Sequence, residues 1–202
     1  MPRQDPAADP ASAVSRPLVA PPPTVAAHQA TADAPVTIPD AAHRAEGEAW
    51  FQKGLSAQSK SQRAQAIEYY QRALAVDPDR PEVLNNLGVL SLEQNHYEEA
   101  GDLFMRAIAQ SPAYARAHLN LAGALWGLGR RDEALAEARK AAAMDPTAVA
   151  THLTLASFLL AMNMKAEASE EARRVLLLEP ANAQALVFLN ASAAAPAGEP
   201  GP

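Results

Sequence analysis

The chain has 202 residues, a net charge of −6 and no cysteine. These facts exclude a disulfide framework, a cysteine-based zinc site and a thiol nucleophile, and the acidic balance argues against a nucleic-acid partner. Hydrophobic residues make up 49% of the sequence, but 48 residues are alanine and only 5% are aromatic, a balance that favours helix over sheet.

Residues 1–40 carry 9 of the 17 prolines, including Pro21, Pro22 and Pro23. The rest is largely Ala, Asp, Thr and Val without lasting periodicity. Such a segment buries too little apolar surface to offset its ordering entropy, and a disordered arm is expected. Its best apolar stretch, Leu18, Val19 and Ala20, runs into the proline run, and Asp5 and Asp9 precede it, so it does not read as a secretory signal. The chain as written is expected in the cytoplasm, or in the periplasm if an upstream signal or anchor is missing from this start.

Residues 41–193 read as one helical domain. Pro78, Pro112, Pro146 and Pro180 recur every 34 residues, and a fixed period of that length marks a repeat architecture. With proline at repeat position 32, units 47–80, 81–114, 115–148 and 149–182 align without a gap. Position 20 is then Ala66, Ala100, Ala134 and Ala168; position 27 is Ala73, Ala107, Ala141 and Val175; position 8 is Gly54, Gly88, Ala122 and Ala156. Small residues at these places let two helices approach closely. Positions 4, 8 and 11 share one helical face by their spacing. Position 15 is Asn95, Gly129 and Asn163 in the later units, types that tolerate the left-handed conformation ending a helix. Ser61 departs from this, so the first turn is expected to differ. Positions 11 and 24 read Ala57/Tyr70, Ser91/Phe104, Leu125/Ala138 and Leu159/Ala172. Where one is large the other is small, and both are expected to fill one gap between the helices of a unit.

The pattern resembles the tetratricopeptide repeat family. Trp50, Gly54, Ala66, Tyr70, Ala73 and Pro78 form a nearly complete consensus in the first unit. The resemblance implies an all-α fold: a right-handed superhelical solenoid of antiparallel helix pairs whose first helices line a concave groove. The groove residues it implies are Asn85, Asn86, Arg116, Leu119, Asn120, Trp126, Leu153 and Thr154. Asn86 and Asn120 hold the same position in adjacent units and Thr154 continues the row. An amide carries both a donor and an acceptor and can hold a peptide backbone of any sequence. The row is similar to the asparagine ladder in the repeat arm of O-linked N-acetylglucosamine transferase. A carboxylate clamp of the kind found in chaperone-binding members is not expected, because Phe51 and Leu55 stand where that clamp needs Lys and Asn, and only Asn86 and Arg116 match it.

No phosphate-binding loop, nucleophile elbow or paired-histidine zinc motif occurs. His118 and His152 both fall at position 4, one unit apart, and read as packed side chains rather than ligands of a shared metal. No catalysis, cofactor or metal is expected. Thr147 to Met164 is an uncharged run of 18 residues, yet it keeps the repeat register and carries Thr, His, Ser and Asn, so it does not read as a membrane span.

Residues 183–193 match a first helix with no second helix to follow, a capping helix. Residues 194–202 read as a disordered tail. Leu186, Val187, Phe188 and Leu189 are consecutive and cannot all face one stripe, which makes Val187 and Phe188 candidates for self-association. The function expected is a non-catalytic adaptor that holds a peptide or helix segment of a protein partner in its groove. Two alternatives stay open: a self-associating scaffold, that is, a homo-oligomer joined through the last helix, and an accessory component of a multi-protein complex such as a secretion, pilus or glycosyltransferase system.

Overall fold

A computed structural model describes residues 41–193. The arm over 1–40 and the tail over 194–202 lie outside the described residues. Nine helices and no strand occur among the described residues. They are α1 (Ala41–Ser59), α2 (Arg63–Val76), α3 (Pro81–Glu93), α4 (Tyr97–Gln110), α5 (Ala115–Gly127), α6 (Arg131–Met144), α7 (Val149–Ala161), α8 (Lys165–Leu178) and α9 (Ala183–Ala193). Each odd helix through α7 packs on the even helix that follows it, and α9 packs on α8. The result is an all-α solenoid of antiparallel helix pairs.

Both kinds of turn follow from local sequence. Each second helix stops at the residue before the periodic proline: Asp77, Ser111, Asp145 and Glu179 have φ between −130° and −136° and ψ between 85° and 89°. The proline ring forces its predecessor out of the helical region. The backbone N–H of each of these residues still donates to the carbonyl at position 27, so the helix end is satisfied. Within each pair, position 15 takes a positive φ in all four units: Ser61 57°, Asn95 59°, Gly129 76° and Asn163 59°. The next residue's N–H then reaches back to the position 11 carbonyl at 2.8–3.0 Å, closing a Schellman turn. The expectation that the Ser61 turn would differ is corrected: it has the same geometry. The six-residue backbone ring sets φ there, and serine adopts it despite its steric cost.

Close helix approach is visible at every small position. Ala66, Ala100, Ala134 and Ala168 are completely buried, as are Ala73, Ala107, Ala141 and Val175. Positions 11 and 24 are buried in all four units, as their reciprocal sizes required. Position 8 completes the exchange. A Cβ added to Gly54 would lie 2.3 Å from Tyr70, and one added to Gly88 would lie 2.6 Å from Phe104. Units with an aromatic at position 24 therefore need glycine at position 8. Units with alanine at 24 carry Ala122 or Ala156 instead, and Leu125 and Leu159 fill the gap from the first helix.

A second reciprocal pair joins positions 4 and 23. In the first unit Trp50 stacks on Tyr69 with ring centroids 5.9 Å apart. In the second, Leu84 and Leu103 pack in one apolar cluster. In the third and fourth the pair is ionisable: His118 Nδ1 lies 2.6 Å from Glu137, and His152 Nδ1 lies 2.6 Å from Glu171. The other ring nitrogen faces a backbone carbonyl of the preceding turn, Pro112 at 3.1 Å for His118 and Pro146 at 3.0 Å for His152. Both neighbours are acceptors; a neutral ring satisfies one and an imidazolium satisfies both. Burial pushes the Glu137 carboxyl up, but hydrogen bonds and charge from Lys140 and His118 outweigh it and hold the group below the usual carboxylate range. The two rings sit in successive layers, each with its own partners. No cluster of three or more His, Asp or Glu able to hold a metal occurs among the described residues.

The uncharged run from Thr147 to Met164 is divided between α7 and the turn at Asn163. No helix of the described residues is long and apolar enough to cross a membrane.

Two outcomes test this packing. Gly88→Ala is expected to destabilise by about 1–3 kcal/mol through overpacking against Phe104, and Phe104→Leu in the same chain should recover part of it; urea denaturation midpoints read both. His152→Leu alone leaves the buried Glu171 carboxylate without its ring partner and should cost about 1–3 kcal/mol. His152→Leu with Glu171→Leu reproduces the apolar pair of the second unit and should restore most of that stability, as read by thermal melts.

Candidate peptide-binding face

First helices approach one another directly across units, α3 against α5 and α7 against α9. They have the shorter path along the stack, so their outward side is the inner face of the solenoid. Positions 5, 6, 9 and 12 of each unit sit there.

The polar row on this face is bonded to itself. The Tyr70 hydroxyl donates to Gln58 Oε1 at 2.6 Å and accepts from Asn86 Nδ2 at 3.3 Å. Asn85 Nδ2 donates to Asn86 Oδ1 at 3.4 Å, and Asn120 Nδ2 donates to Asn85 Oδ1 at 2.9 Å. One chain of hydrogen bonds thus runs from α1 through α2 and α3 to α5. Asn86 and Asn120 are half-buried and keep hydrogen-bonding capacity toward solvent; Asn85 is only 1% exposed and acts as the link between them. Burial pushes the Tyr70 phenol up, partly opposed by the Asn86 bond, so it stays a neutral donor. Thr154 does not join the row: its hydroxyl donates to the Ala150 carbonyl of its own helix at 2.9 Å.

Sequence reading missed the anchor of this row. Tyr70 fills the helix gap with its ring, and its buried hydroxyl meets Gln58 and Asn86 beneath the inner face. The signal was the difference between Tyr70 and Phe104 at the same repeat position, since a buried phenol hydroxyl needs a partner.

Apolar residues flank the row. Val89, Leu92, Trp126 and Leu160 are half-buried against the central core. Trp126 stacks on Phe158 of the next unit, ring centroids 4.1 Å apart and planes 1° from parallel, and Arg131 lies 5.7 Å from its ring. The indole therefore packs within the stack through one face. Leu119 and Leu153 are half-buried; Leu153 packs with Ala172, Val175 and Phe188 at the C-terminal end. Arg116 is exposed and forms no ion pair among the described residues. At the N-terminal side Arg80 covers the Phe51 ring at 4.4 Å while bonded to Glu48. Hydrogen bonds from Gln52 and Arg80 hold the Glu48 carboxyl below its ordinary value.

The two self-association candidates separate in α9. Phe188 packs inward with Leu189 on the last core cluster, whereas Val187 is 62% exposed beside Leu186. Leu177 on α8 is 83% exposed. Phe188 is thus chiefly a packing residue, and Val187 carries the surface.

Comparison with known proteins agrees with this architecture. The tetratricopeptide repeat family matches residues 51–115 and 92–149 through one of its descriptions and 125–187 through another. Pseudomonas aeruginosa PilF is similar with a TM-score of 0.68 at 22% identity, over 75% of this chain and 69% of that one. YrrB, described as a tetratricopeptide protein with an unusual peptide-binding site, is similar with a TM-score of 0.61 at 19% identity, over 71% of this chain and 74% of that one. The first repeat domain of Spaghetti, solved bound to an HSP90 peptide, is similar with a TM-score of 0.54 at 25% identity, over 56% of this chain and 90% of that one. Register, turn geometry and these matches together place the chain in the tetratricopeptide repeat family.

Proposed function

We propose that this protein is a non-catalytic adaptor whose inner face binds a peptide or helix segment of a partner protein. The observation that carries the reading is the hydrogen-bonded amide row of Asn86, Asn85 and Asn120, flanked by half-buried Leu92, Trp126 and Leu160. Amides pre-oriented by their own network lose little freedom when a peptide backbone docks on them. The apolar flank supplies area to bury, and Arg116, exposed near the centre, supplies one positive charge. YrrB and the Spaghetti domain are peptide-binding proteins of the same fold, which supports protein–protein interaction as the general role.

A second reading, self-association, rests on a different observation: Leu177, Leu186 and Val187 leave apolar surface exposed at the C-terminal end. Surface of that kind marks contact sites.

Panning a random peptide library tests the first reading. Wild type should enrich a consensus, and Asn86→Ala with Asn120→Ala should weaken the best peptide by about tenfold or more, the equivalent of one or two lost hydrogen bonds. Arg116→Ala, at an exposed site with no packing role, serves as the variant that leaves the fold alone. Unchanged binding by both variants would remove the inner face from the argument. For the second reading, sedimentation velocity of Val187→Glu should show loss of any dimer seen in wild type; a wild-type monomer at all concentrations rejects it.

A further inference from the structure

The outer side of the stack carries a depression at each junction between units, where two successive second helices flank a first helix. Between α4 and α6 this depression opens into a cavity of about 290 Å³. Its floor is Leu121, Leu125 and Leu128 of α5 and the turn after it, and Met105, 50% exposed, stands at its mouth.

Depressions of comparable size lie between α2 and α4, about 340 Å³, and between α6 and α8, about 470 Å³, so this one is set apart by its lining; repeat position 21 is Ile67, Gly101, Leu135 and Ser169 in the four units. Between α2 and α4 the same depression is lined by Ile67, half-buried against the core. Leu135 is likewise buried. At Gly101 that side chain is missing, and an added Cβ would meet only Leu121 Cδ1, at 3.9 Å. The glycine is in mid-helix with no positive φ, so the backbone does not require it there.

The rim is acidic. Glu133 is paired with Arg130 at 2.7 Å, and Glu137 with Lys140 and His118, each at 2.6 Å. Glu98 and Asp102, one turn apart on α4, line the cavity without a cationic partner among the described residues. An apolar floor under two unpaired carboxylates complements a group that is apolar at its tip and positively charged beside it. The volume lies at the lower end of ligand cavities, enough for a side chain and too small for a nucleotide-sized cofactor.

We infer that the cavity between α4 and α6 is a second binding site, on the face opposite the amide row, which seats a bulky apolar side chain of a partner segment carrying an adjacent lysine or arginine. The apolar side chain rests on Leu121, Leu125 and Leu128 beside Gly101. The basic group meets Glu98 and Asp102. Nothing in this site uses Asn86, Asn120 or Trp126, so it stands apart from the inner-face reading.

Methyl NMR of the whole chain tests it, with acetyl-Arg-Leu-Leu-Arg-amide as the probe and acetyl-Glu-Leu-Leu-Glu-amide as its charge-reversed control. The arginine peptide should produce saturable shifts at Leu121, Leu125, Leu128 and Met105, and the glutamate peptide should not. Gly101→Leu adds a side chain at the cavity wall, where a Cβ has room, and should weaken the arginine peptide by about tenfold or more, as loss of one buried apolar side chain does. Glu98→Gln with Asp102→Asn touches no packing, should weaken it several-fold, and should flatten its dependence on salt. Absence of saturable shifts, equal binding of the glutamate peptide, or unchanged affinity in Gly101→Leu would each overturn the site.

Discussion

The closeness of the two helices in each pair is the constraint on which the rest depends. Completely buried small residues at positions 20 and 27, alanine everywhere except Val175, bring the axes together and leave one gap of fixed size. Two solutions fill it. In the first two units an aromatic from the second helix lies over a glycine of the first; in the last two, a leucine of the first lies over alanines. Packing at native density leaves no room for both and no tolerance for neither. The choice reaches the inner face, because only the aromatic solution can bring a hydroxyl beneath it. Tyr70 does so, and the amide row is anchored on it.

The pairing of positions 4 and 23 is a second joint in each unit, and its chemistry changes along the stack. It is aromatic, then aliphatic, then twice a histidine with a glutamate. The ionisable version does more than hold two helices. Each ring also faces a carbonyl in the turn from the preceding unit, so one side chain lies between a first helix, a second helix and an inter-unit turn. A buried hydrogen-bonded pair gains little net stability over an apolar pair of the same shape, but removing one partner is costly. Its distinct contribution here is directional: it sets the register of the third and fourth units against the turns before them.

The two ends of the described domain are finished differently. At the first unit Trp50 is covered by Tyr69 and by the cations of Lys53 and Arg72, at 4.0 Å and 4.6 Å from its ring. At the last, Leu186 of α9 occupies position 4 of a fifth unit, the place that in every earlier unit meets a position 23 partner, and it is 47% exposed. Position 4 is thus covered in the first unit and left open in the last helix.

The sequence alone determined the number of units, their register, the helix ends other than the turn at Ser61, and the identity of the buried small residues. Each follows from a local rule, proline before an extended residue, a left-handed turn, a period of 34, that acts through near neighbours in the chain. The reciprocal sizes at positions 11 and 24 were legible for the same reason, although the part played by Gly54 and Gly88 was not. Side-chain partnerships across units were decided by tertiary structure. That Asn85 is a buried link while Asn86 and Asn120 face outward, and that Trp126 lies flat on Phe158, depend on rotamers chosen against neighbours 16 to 35 residues away, whereas Thr154 turns to a carbonyl of its own helix. Repeat position assigns a residue to a face; only the layer above and below it decides whether its polar atoms are satisfied or left for a partner.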